Sequence, residues 1–169
     1  MIEAAFKPLG NITVQELFEK QDVGGVGAVS GYLKREHLRH LGYKLLDHAE
    51  TLITPKVPVL KQHFYWSARG GFYYRWRDLD DFALDGAIHS YGQQIAMATK
   101  AAREFRKQYD DLPGHAGFSQ MRIIEEKRGN FEAAKELCHV AQAQGWAGSW
   151  EKSIARIDKK VAKVGSPLR

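Results

Sequence analysis

The chain has 169 residues, enough for one domain or for one domain with a small appendage. An apolar fraction of 44% supports a packed core and excludes a disordered polymer, while a net charge of +5 admits an acidic or nucleic-acid partner without requiring one. A single cysteine, Cys138, excludes an internal disulfide and a cysteine-rich zinc site, and no uninterrupted apolar run approaches the ~20 residues that span a bilayer.

The first residues, MIEAAFKPLG, lack a basic stretch followed by an apolar run, so no secretory signal is expected and the cytoplasm is the expected compartment. Thr13 and Glu16 have capping-box spacing and open a short helix to about Lys20. Residues 22–31 are rich in glycine. However, Gly31 is followed by Tyr32 and Leu33 instead of the Lys and Ser/Thr of a phosphate loop, and no strand precedes it, so the stretch reads as a flexible connector. A long helix is predicted over 32–53, where Leu38, Leu41, Leu45, Ala49 and Leu52 recur at three- and four-residue steps, and Pro55 ends it. His37, His40 and His48 lie along it. His40 and His48 stand about two turns apart, too far for one ion, and His37 with His40 has no evident third ligand, so no metal site is read.

Residues 63–77, HFYWSARGGFYYRWR, are the densest in large side chains. Gly70 and Gly71 suit the positive φ of a tight turn, and Tyr, Phe and Trp favour strands, so a short β-hairpin is predicted here. As a strand, 72–77 would set Phe72, Tyr74 and Trp76 on a core face and Tyr73, Arg75 and Arg77 on an open one. With Arg69, that open face has the composition of a surface that stacks bases and meets phosphates.

The longest helix is expected from Asp78, as its cap, to about Tyr109, with a seam through Leu84, Ile88, Tyr91, Ile95, Ala98, Ala102 and Phe105. Asp81, Asp85 and His89 share one stripe of it. A carboxylate–imidazole row can bind metal or move protons, but the same row is common on solvated helices, and no catalytic residue is assigned. Residues 110–117 read as a loop, followed by helices over 118–128, 131–144 and 150–164. Ser149 is the expected N-cap of the last, whose Lys152, Arg156, Lys159, Lys160 and Lys163 make it basic.

Arg128, Gly129 and Asn130 lead into Phe131, Ala134, Cys138 and Ala141, an order that resembles the centre of a tetratricopeptide repeat over about 118–164. The resemblance implies a helical hairpin that crosses closely at Ala134 and Ala141, a closing helix at 150–164, and contacts with other proteins. Arg122 and Glu125 depart from it, since the family usually has a small and an aromatic residue there, and only one repeat is visible.

The expected fold is mainly α: a helical bundle with one short aromatic β-hairpin over residues 1–112, and a repeat-like helical hairpin with its closing helix over 113–169, packed as one unit. The expected function is a non-enzymatic protein-binding subunit or adaptor within a complex, with no cofactor, no metal and no membrane. The alternative is a nucleic-acid-binding protein. Partner contact is assigned to Arg69, Tyr73, Arg75, Arg77, Lys152, Arg156, Lys159, Lys160 and Lys163.

Overall fold

The computed structural model describes residues 35–164 together with Val23 and Leu33. The capping box at Thr13 and Glu16, the short helix to Lys20 and, Val23 apart, the glycine-rich stretch lie outside the described residues. Two compact units are present, Met1–Ala87 and Ile88–Arg169. Among the described residues the fold is mainly α-helical, with two short strands.

In the first unit, a single 3-10 turn, Glu36–Leu38, leads into helix α1, Arg39–Thr51. Its buried face is broader than the leucine seam alone and includes Gly42, Tyr43, Leu45, Leu46 and Ala49. Gly42 is required by a close approach: a Cβ there would lie 2.1 Å from Phe72 Cζ, so α1 could not rest on that ring with a larger residue.

The predicted aromatic hairpin is absent. Val59–Arg75 is instead a continuous helix, α2, with Pro58 as its N-cap residue. Neither Gly70 nor Gly71 has positive φ, so the pair makes no turn. The physical reason lies in the spacing of the large side chains. Tyr65, Trp66, Arg69, Phe72, Tyr73 and Trp76 recur every three or four residues, and as a helix they all reach the buried side. Two glycines cost a helix about 2 kcal/mol relative to alanine. Burying each aromatic returns about that much, so tertiary packing overrides local propensity. The facial argument over 72–77 fails with the strand: Phe72, Tyr73 and Trp76 are buried together, and Tyr74 is half-buried.

The long helix expected from Asp78 begins later, at Ala83, and is interrupted. Helix α3 is Ala83–Ala96 and α4 is Ala98–Arg106, separated at Met97. Asp78 is exposed beside Arg77, at 3.1 Å, instead of opening the helix. The chain between the helices turns tightly, with Leu79 and Asp80 N–H both donating to the Trp76 carbonyl at 3.0 Å.

In the second unit, α4 buries Ala98, Ala101, Ala102 and Phe105. Strand β1, Leu112–Gly114, falls within the stretch read as loop, and pairs in parallel with β2, Trp146–Ala147. Between them lie α5, Ala116–Arg128, and α6, Phe131–Ala143. His115 caps α5, its Nδ1 accepting from Phe118 N–H at 3.3 Å. Gly129 ends α5 at φ 80°, a left-handed cap, and Asn130 N–H returns to the Glu125 carbonyl at 2.9 Å. Ala134, Cys138 and Ala141 are fully buried along α6. Helix α7, Trp150–Val164, packs on α6 through Trp150 and Ile157. Ala134→Leu is expected to overpack the buried face of α6 and cost about 1–3 kcal/mol in denaturant unfolding, whereas exposed Glu136→Ala on the same helix should change little. Among the described residues no helix is long and apolar enough to cross a membrane.

Candidate binding surfaces

The aromatic–arginine segment is chiefly interior. Arg69 is 7% exposed, and its Nη2 meets Asp47 at 2.9 Å and Glu50 at 3.2 Å, while Nη1 donates to the Gly86 carbonyl at 3.2 Å. Its guanidinium lies 4.3 Å from the centre of the Tyr73 ring. Tyr73 is also buried, and its hydroxyl donates to Asp47 at 2.5 Å. Burial, and after it that hydrogen bond, pushes the phenol well above its usual range, so it stays a donor. A second knot lies beside it. Asp80 accepts from Arg39 Nε at 2.8 Å and from the Tyr43 hydroxyl at 3.0 Å, and the Arg39 bond holds its carboxyl below the ordinary range. Arg39, Tyr43, Asp47 and Asp80 therefore work as brackets between α1 and its neighbours.

Of the four partner residues assigned to this segment, Arg69 and Tyr73 are enclosed. Arg77 is half-buried over the Tyr74 ring at 4.2 Å and donates to the Tyr74 carbonyl at 2.8 Å. Only Arg75 is fully open, 5.4 Å from the Trp76 ring centre. Phe64 is the exposed ring of this segment and Tyr74 is half-buried; stacking bases on Tyr65, Trp66, Phe72, Tyr73 or Trp76 would require taking them out of the core.

Asp81, Asp85 and His89 are exposed, as are His37 and His40. Among the described residues, no group of three His, Cys, Asp or Glu side chains is placed to hold a metal ion. Cys138 is enclosed, and burial pushes its thiol up. A cavity of about 440 Å³ opens near the start of α7, lined in part by Gln142, Trp146, Trp150 and Lys152. Both indole N–H groups there are already committed, Trp146 to Gln144 Oε1 at 2.9 Å and Trp150 to the Trp146 carbonyl at 2.7 Å.

Helix α7 presents the clearest surface. At 3.6 residues per turn, Lys152, Arg156, Lys159, Lys160 and Lys163 fall within an arc of about 100°, away from the seam of Trp150, Ile154 and Ile157. All five are exposed. Ion pairs and a hydrogen bond secure the two flanks of the helix. On one, Asp158 meets Lys135 at 3.2 Å and Glu151 accepts from Gln142 at 3.1 Å, both on α6. On the other, Glu126 of α5 takes Arg156 and Lys160, the latter at 2.8 Å, and also Arg122 at 2.5 Å. Burial opposes the charge on Glu126, whose side chain is 6% exposed, but hydrogen bonds from Lys160 and Arg122 and the nearby Arg156 charge hold its carboxyl below the usual range. Between these flanks Lys152, Lys159 and Lys163 have no ion-pair partner among the described residues.

Composition pointed to these cations, but not to Glu126, which lies 30 and 34 positions before Arg156 and Lys160. The only sequence signal for Glu126 was its i, i+4 spacing from Arg122. Comparison with protein-family models, curated proteins and solved structures returned no match.

Proposed function

We propose that the protein is a non-enzymatic binding subunit, acting within a complex, that receives an anionic partner on the outward face of α7. The observation that carries this reading is the segregation of charge. Ile88–Arg169 holds fourteen Lys and Arg against nine Asp and Glu, whereas Met1–Ala87 holds eleven of each. The whole excess belongs to one unit, and Lys152, Lys159 and Lys163, with no ion-pair partner among the described residues, gather part of it on one helix face; Lys100 and Arg103 of α4 are likewise exposed without one. A surface of one sign speeds encounter with the opposite sign and disfavours partners of its own. The likeness of α5 and α6 to a tetratricopeptide hairpin keeps an acidic protein among the partners to be tested.

Retention on heparin, a generic polyanion, tests the reading. Wild type should elute at distinctly higher salt than K152A/K159A/K163A. A control that removes three exposed cations elsewhere, K44A/K56A/K100A, should elute close to wild type. If both triple variants shift equally, net charge and not α7 governs retention, and the surface is wrongly assigned.

A further inference from the structure

Resting on the reading of α7 as an anion-binding surface, we infer that its occupant is the phosphate backbone of a nucleic-acid duplex, held without regard to base sequence. Three features of the row favour this polymer over an acidic protein surface. First, the row is linear and stiff. At a rise of 1.5 Å per residue, Lys159 lies about 10.5 Å along the axis from Lys152, and Lys163 about 6 Å farther. A duplex offers about one negative charge per 1.7 Å of its axis, so a straight row spanning about 16.5 Å finds phosphates within reach of every lysine without any exact register.

Second, the three unpaired lysines include none of the anchors that protein partners use, and Arg156, which shares their arc, is tied to Glu126. Protein interfaces are enriched in aromatic residues and arginine at their centres and depleted in lysine. The large apolar side chain exposed on α7 is Val161, 38% exposed, and it lies on the seam side of the helix, away from the row. Third, the row lacks an aromatic face. Proteins that hold single strands stack bases on Tyr, Trp or Phe, and Trp150, the aromatic residue of α7, is buried. Lysine ammonium groups act on phosphates as point charges, which fixes position on a backbone and carries no sequence information.

The flanking ion pairs set the geometry of the row. Glu126 draws Arg156 and Lys160 towards α5, and Lys135 and Gln142 draw Asp158 and Glu151 towards α6. The acids that could cancel the row are thereby turned to one flank, and α7 is held against its neighbours with three cations outward. Three phosphate contacts predict a slope of about −2.7 for log affinity against log salt on a duplex. Between 50 and 200 mM salt, affinity should fall about fortyfold.

The experiment is fluorescence anisotropy of the full chain with labelled 20-base-pair duplexes of two unrelated sequences, a 20-nucleotide single strand, and a poly-glutamate peptide. Expected are equal affinities for the two duplexes, the slope given above, and its near-complete loss in K152A/K159A/K163A but not in K44A/K56A/K100A. Thermal unfolding of each variant checks that the fold is kept. Tighter binding of the single strand, or of poly-glutamate, would overturn the duplex assignment while leaving α7 an anion surface. Loss of heparin retention by neither triple variant would instead overturn the underlying reading. Heparin retention that depends on the row, without duplex binding, would overturn the duplex inference alone.

Discussion

Tyr65→Ala is expected to lower the free energy of unfolding by about 3–5 kcal/mol, the range for truncating a fully buried aromatic. Tyr65 is 1% exposed, its ring meets Trp66 edge-on at 4.9 Å, and its hydroxyl donates to the Leu46 carbonyl on α1 at 2.6 Å. Truncation opens a cavity between α1 and α2 and removes a bracket between them. Tyr65→Phe separates the two losses. It keeps the ring and gives up one hydrogen bond, for about 1 kcal/mol, because the Leu46 carbonyl lies within a helix and keeps its own ladder partner. The denaturant midpoint at unchanged slope reads both values. Near-equal costs for the two substitutions would show that packing at Tyr65 contributes little.

Glu126→Gln should destabilise the second unit by about 3 kcal/mol at neutral pH, because Arg122 would be left buried without its counter-charge. The pH dependence identifies the cause. The Glu126 carboxyl titrates below its ordinary value of 4.5 in the folded state, so its contribution is complete above that value and is lost as pH falls through the lower folded one. The gap in unfolding free energy between wild type and Glu126→Gln should therefore be constant above pH 4.5 and close in stronger acid. His63 acts in a neighbouring range in both proteins. Burial pushes its imidazole down to about 4, so stability is lost as pH falls from the usual histidine value of 6.5 towards 4. Because that loss is common to both, only the difference between the two proteins reports Glu126. A gap that persists unchanged at low pH would assign the effect to side-chain packing instead of charge.

Much of the helical order could be read from the sequence where periodicity and caps agreed. Gly129 and Asn130 marked the turn, Ala134, Cys138 and Ala141 marked a buried face, and the last three helices lie within two residues of the expected bounds. Residues 63–77 were misread because two rules competed. Paired glycines and strand-prone aromatics satisfied the hairpin rule locally, while the deciding fact was the three- and four-residue recurrence of Tyr65, Arg69, Phe72 and Trp76, which only a core supplied by α1 makes worthwhile. Strands of three and two residues are too short to carry any period, so the pairing of β1 with β2 left no trace. At the surface, α7 announced its cations by composition. Which of them are neutralised depends on residues far away in the chain, and that part required the fold.

The parallel pairing of β1 with β2 has a kinetic consequence. Leu112 meets Trp146 across 34 intervening steps of chain, and everything between is the hairpin of α5 and α6. Closing a loop of that length from a disordered chain costs about 3 kcal/mol in entropy before any contact rewards it. A hairpin already formed brings its own two ends together and removes most of that cost. The strands are thus set to zip last, after local helix pairing has nucleated, so that the clasp governs how fast this part of the molecule comes apart and leaves the speed of its assembly to the helices.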